Sequence, residues 1–275
     1  MIELPEAINL AKQMNKILVG KRVVNVYPPT KIHKFCWFSI NPEDYCYNLK
    51  NAVITGAEGF GIYAELSFDN GKKLCINDGV IPRLSELSEK PEDYQLLIEF
   101  DDDTILYYTV AMYGGICLHS GEYDNEYYLK SLEGVSPFSD EFVKYFNNMI
   151  EREKPTVSAK ALLAAGQRIP GLGNGVLQDI LFEAGINPKT KIKDLSDEKR
   201  QLLCGKIIEV LKEMRDKGGR DTEKDLLGNP GGYETKMSRL GIKRGCPVCG
   251  REIIKENYLG GAVYYCPHCQ PAIAM

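Results

Sequence analysis

The chain has 275 residues, 44% apolar and 26% charged, which excludes a collagenous, mucin-like or wholly disordered protein. The length suits about two domains. No stretch approaches the roughly 18 consecutive apolar residues of a membrane span, and the first twenty residues, interrupted by Lys12 and Lys16, lack the apolar core of a secretion signal. The expectation is a cytoplasmic protein. The net charge of −4 is unevenly spread, with −9 over residues 1–154 and +5 over residues 155–275. The basic part suits a polyanion partner, with solvated helix faces as the plainer alternative.

Residues 5–19 are predicted to be a helix. Ala7, Leu10, Ala11, Met14 and Leu18 fall on one face, Pro5 suits the first turn and Gly20 the exit. Short strands follow: Arg22 to Tyr27, Gly61 to Phe68, Lys73 to Ile76, Gln95 to Phe100 and Thr104 to Val110. Asp69-Asn70-Gly71 and Asp101-Asp102-Asp103 mark hairpin turns. This spacing points to an antiparallel sandwich or barrel. The run Phe35-Cys36-Trp37-Phe38 is expected in the core and not to serve as a base-stacking platform, and Asn77-Asp78-Gly79 is expected in a turn. Beyond about residue 125 the pattern turns helical, with helices expected over 141–153, 158–167, 175–184 and 197–217. Residues 220–240 read mainly as loop.

Nine cysteines are present. Cys36, Cys46, Cys75, Cys117 and Cys204 are scattered and read as small buried residues. Cys246 and Cys249, then Cys266 and Cys269, form two CxxC pairs separated by sixteen residues. That spacing matches a four-cysteine zinc site, each pair offering two thiolates from one turn. Four sulfur ligands close the coordination sphere, so the zinc is structural, and it supplies much of the folding energy of so small a unit. The intervening segment has room for a hairpin with Gly260 and Gly261 at its tip, and His268 is expected to be exposed. His33 and His119 sit in no catalytic spacing and read as structural or surface residues.

Gly171-Leu172-Gly173-Asn174 lies between two helices. Its glycines allow close backbone approach, and the free amides of the next helix could receive a phosphate. The alternative is a tight turn with Asn174 as helix cap.

Three segments together resemble the formamidopyrimidine-DNA glycosylase and endonuclease VIII family. Met1-Ile2-Glu3-Leu4-Pro5-Glu6 is similar to that family's opening. Lys160 to Pro188, with Gly171-Leu172-Gly173-Asn174 and Ala184-Gly185-Ile186-Asn187-Pro188, resembles its helix–two-turns–helix element. The CPxC and CPxCQ pairs, ending at Gln270, resemble its zinc finger. The resemblance implies an α+β chain with an N-terminal helix and β-sandwich (1–125), a helical domain (126–240) and a zinc β-hairpin (241–275). It implies a monomeric, nucleoid-associated DNA repair protein that binds damaged duplex DNA, flips a damaged base and cuts its glycosidic bond. Glu3 and Glu6 match the acidic positions, and an N-terminal amine acts as nucleophile through a Schiff base. Lys160, Gly171, Gly173 and Asn174 match DNA-binding positions, Asn174 holding a phosphate beside the lesion.

The departures fall on the chemistry. Ile2 replaces the family's nucleophilic proline, leaving the amine of Met1 or Ile2 as candidate. No lysine lies between Lys50 and Lys72, where the family has one; Phe60 or a neighbour takes its place. Gly261 stands where the family has a hairpin arginine, and Val80 and Met112-Tyr113-Gly114 stand where it fills the hole left by the flipped base. Three functions follow as alternatives: a divergent glycosylase/AP lyase, a catalytically silent binder of DNA lesions or structures, and a scaffold for RNA or protein.

Overall fold

The computed structural model describes residues 1–272. Helix α1 (Leu4–Ile17) leads into strands β1 (Val23–Tyr27) and β2 (Cys36–Phe38), helix α2 (Asp44–Leu49), then β3 (Ile54–Phe60), β4 (Tyr63–Phe68), β5 (Lys73–Asn77), β6 (Val80–Glu86), β7 (Leu96–Phe100), β8 (Thr104–Val110) and β9 (Gly114–His119). The strands form two sheets, ordered β2-β9-β5-β4-β3 and β1-β7-β8-β6. Every pairing is antiparallel except β2 with β9. Leu66, Leu74, Ile76 and Ile116 of one sheet meet Leu96, Ile98 and Leu106 of the other in a single apolar core. Both predicted hairpin turns join paired strands. Asp78 and Gly79 instead turn the chain from one sheet to the other, between β5 and β6.

The helical part follows: α3 (Glu126–Glu133), α4 (Phe142–Arg152), α5 (Ala159–Ala164), α6 (Val176–Glu183), α7 (Asp197–Asp216) and the short α8 (Gly241–Arg244). Strands β10 (Ile254–Tyr258) and β11 (Gly261–Tyr265) close the chain as a hairpin. The helix expected over 158–167 breaks at Ala164, because Gly166 and Gln167 adopt positive φ of 68° and 51°. Ser158 caps it by accepting from the Ala161 amide. Helix α3 was not foreseen. It lies over the outer face of the five-stranded sheet, where Tyr128 donates to Glu65 at 2.7 Å and packs on Tyr63.

Helix α1 positions everything else. Ala7, Leu10 and Met14 enter the sandwich core, while Leu4 is buried in the helical core with Leu172, Val176 and Leu177. Each large apolar side chain buried this way contributes about 1.5–3 kcal/mol. One helix therefore seals both cores, and its N-terminus sits where they meet. No described helix is long and apolar enough to cross a membrane.

The expectation for Phe35 to Phe38 requires correction. Cys36 is buried, but Phe35 is 48% and Trp37 54% exposed. Strand alternation explains it: a three-residue edge strand sends alternate side chains to opposite faces, so a continuous apolar run cannot be wholly interior.

Candidate active site and nucleic-acid interface

The chain start is stitched to the helical domain. The Leu4 amide donates to the Gly171 carbonyl at 2.9 Å. The carboxylate of Glu3 accepts from the amides of Gly175 at 2.8 Å and Val176 at 2.7 Å, and Arg220 approaches it to 3.5 Å. Glu6 accepts from Arg220 through Nε at 2.9 Å and Nη2 at 2.7 Å. Glu3 and Glu6 also form a reciprocal capping box at the start of α1. All three charged residues are buried. Burial raises the pKa of Glu3, with Arg220 opposing and Glu6 adding to the rise. Burial alone would lower that of Arg220, but Glu3 and Glu6 reverse it and hold the guanidinium firmly charged.

This arrangement corrects two expectations about the turn. Glu3 takes two of the amides at the start of α6, those of Gly175 and Val176, so these two are not free for a phosphate. Asn174 is not the cap either. Its Nδ2 donates to the Ala262 carbonyl at 3.0 Å, and its Oδ1 is buried without a partner. The glycines acquire a reason in the protein itself. A Cβ on Gly173 would lie 2.7 Å from Glu3 Oε1, and one on Gly175 would collide with Arg220. Gly171, at φ 78°, lies against the backbone of Gly61 in the β3–β4 turn.

Ile2 is 5% exposed, with its amide donating to the Asp78 carbonyl at 2.6 Å. Met1 is 39% exposed and its amine pairs with Glu223 at 2.5 Å. The amine opens on a cavity of about 220 Å³ whose lining includes Asp78, Ile81, Thr222, Glu223 and Lys224. The pKa of Asp78 is pushed up to about 6 by burial, with Glu3 adding and the N-terminal amine opposing. Arg220, Glu223 and Asp78 were not singled out from the sequence. Residues 220–240 read mainly as loop, although Gln13 of α1 and Arg83 of β6 clamp that segment through Asp225.

Lys160 is buried and donates to the carbonyls of Tyr258 and Gly261 in the hairpin. Burial lowers its pKa. Phe60, where the family has a lysine, stacks on Tyr63 at 5.8 Å and packs edge-on against Tyr128. The four cysteines of the two pairs bring their sulfurs within 4.8 Å of one another, with closest pairs at 3.5 and 3.7 Å. A tetrahedral ion with bonds of about 2.3 Å needs sulfurs about 3.8 Å apart, so the set fits a metal ion. Gln270 docks this unit: its side chain accepts from the Cys266 amide and donates to the Ile186 carbonyl, while Asn187 Nδ2 donates to the Gln270 backbone carbonyl. His268 is exposed and outside the cluster, whereas His119 is buried against Glu65 at 3.1 Å.

Comparison with known proteins gives a consistent result. Residues 134–224 match the formamidopyrimidine-DNA glycosylase H2TH domain. The chain is 27% identical to formamidopyrimidine-DNA glycosylase of an Exiguobacterium species and 29% identical to that of Lactococcus lactis, over 98% of this chain and 99% of each relative. A Prochlorococcus marinus relative is 34% identical over a stretch that spans about half of each protein. The Lactococcus lactis enzyme in complex with abasic-site DNA superimposes with a TM-score of 0.83 at 25% identity, covering 98% of this chain and all of that one.

Proposed function

The chain belongs to the formamidopyrimidine-DNA glycosylase and endonuclease VIII family, and from that premise we propose that it is a base-excision repair protein. It binds damaged duplex DNA, turns a damaged base out of the helix and cuts its glycosidic bond. One observation carries the enzyme reading: the Met1 amine sits at the mouth of a cavity beside two carboxylates, Asp78 and Glu223. A neutral amine there attacks the sugar C1′ as the base leaves, giving a Schiff base from which strand cleavage follows by elimination. Glu3 exchanges protons at the sugar. Glu6, held by Arg220, is a positioning residue that fixes the start of α1.

Lys160 and Asn174 exchange their hairpin carbonyl partners for a phosphate, with Gly171 and Gly173 keeping the turn close to Glu3. Cys246, Cys249, Cys266 and Cys269 hold one structural zinc. The two working units are residues 1–125 and 126–240, with the finger at 241–275. The protein acts as a monomer on chromosomal DNA in the cytosol.

A second reading is favoured by Ile2. Its nitrogen is an amide bonded to Asp78 and its side chain is interior, so the position of the family nucleophile carries no reactive group. A silent lesion binder would follow if Met1 does not replace it. Release of free base from duplexes carrying single oxidised bases, measured alongside binding to the same duplexes, decides. Base release supports the enzyme; tight, lesion-selective binding without release supports the silent binder; equal weak binding to every duplex contradicts both.

A further inference from the structure

Between the sandwich and the helical domain runs a cleft of about 460 Å³, within the range of ligand-binding clefts. One wall carries Trp37 and Tyr113, the floor Asn77 and Asp78, and the opposite wall Gly166 and Gln167 of the helix–two-turns–helix element. No lysine or arginine lines it among the described residues. A cleft for phosphates would carry cations. This one offers aromatic faces and side-chain amides, the complement of a nucleobase.

We propose that Trp37, braced by Tyr113, is a stacking ledge for an unpaired nucleobase of the bound DNA. The inference rests on the DNA-binding reading above and names what that cleft recognises.

The geometry supports a ledge and not a slot. The two rings lie 6.1 Å apart at 57°, already in contact, so no base passes between them. Each braces the other while both stay exposed. Trp37 pairs in register with Gly115 in the neighbouring strand, so no side chain stands beside the indole there. Its backbone is held by the pairing of β2 with β9, extended by the Gly114 amide donating to the Phe35 carbonyl at 3.0 Å. Together the half-exposed indole and phenol rings present a flat aromatic face on which a base can stack. The cleft continues into the helix–two-turns–helix wall, which makes bound DNA the covering partner. A flat aromatic face accepts any base, so the ledge selects for an unpaired base over a stacked one and not for a particular lesion.

Trp37 is the only tryptophan in the chain, so emission excited selectively in the indole band, beyond tyrosine absorption, reports on this ledge alone. The full-length protein is titrated with an intact duplex, with a duplex carrying a single-base bulge, and with one carrying an abasic bulge. Binding is followed separately by anisotropy of dye-labelled DNA. The proposal predicts that the base bulge quenches Trp37 emission and binds about tenfold tighter than the abasic bulge. Trp37→Ala removes that tenfold while leaving intact-duplex affinity unchanged, and Trp37→Phe restores part of it. Equal affinity for the two bulges, or unchanged emission with anisotropy showing DNA bound, overturns the ledge and leaves the DNA-binding reading standing. No anisotropy change with any DNA overturns both.

Discussion

Glu3 is bound to the amide of Val176 at 2.7 Å, so one carboxylate caps both the helix it precedes and a helix 173 residues further on. Arg220 neutralises it and Glu6 together from a loop that is neither helix nor strand. The start of the chain, the glycine turn and the loop at 220 are therefore one structural unit, and the candidate nucleophile hangs from it.

Replacing Arg220 tests that unit. Arg220→Ala leaves two buried carboxylates without a counter-charge, and loss of one partner from such a set costs about 3–5 kcal/mol. Chemical denaturation should show a clear fall in midpoint. Glu3→Gln in the same background should recover part of it, because it removes one of the stranded charges. A midpoint unchanged in Arg220→Ala would contradict the coupling.

Asp78 should make stability depend on pH in an unusual direction. Its folded pKa, about 6, lies above the ordinary value near 4. Between those values the folded state binds more protons than the unfolded state, so this group's contribution to stability falls as pH rises through 4 to 6. Asp78→Asn should therefore be more stable than the parent at pH 7, with the difference closing below pH 4. The comparison is made by denaturation at both pH values, and a constant difference would contradict the assignment.

Lys160 should act through charge. Lys160→Met should weaken binding to all duplexes similarly and reduce the slope of log affinity against log salt by about 1. An unchanged slope would mean that the lysine only ties down the hairpin.

Removing the metal should act locally. Chelation should expose the amides of the β10–β11 hairpin to hydrogen exchange and abolish DNA binding, while the sandwich core stays protected. Protection of the hairpin in metal-free protein would argue that Gln270 and Asn187 suffice to fold it.

The sequence made parts of this legible and hid others for physical reasons. The four cysteines were readable because metal geometry imposes spacing on a short segment. Helix α1 was readable from Ala7, Leu10 and Met14, which face one core at helical period. Arg220 was not, because its partners Glu3 and Glu6 are more than two hundred residues away and a buried ion pair leaves no local pattern. The glycines at 171 and 173 looked like a phosphate cradle, yet Gly173 makes room for Glu3, as its neighbour Gly175 does for Arg220; sequence shows that close approach is needed but not by what. Strand β2 misled for a related reason. Four apolar residues in a row suggested core, and only the edge position of the strand reveals that Trp37 faces outward.

The central claim is that the Met1 amine does chemistry on a DNA sugar. Borohydride trapping with a duplex containing one abasic site tests it most directly, with the intact mass of the protein recorded in the same experiment to define its N-terminus. The account predicts a covalent adduct on the N-terminal peptide, lost when the amine is acetylated. Absence of adduct while the same DNA is bound would contradict an amine nucleophile and leave a scaffold that recognises lesions without cutting them.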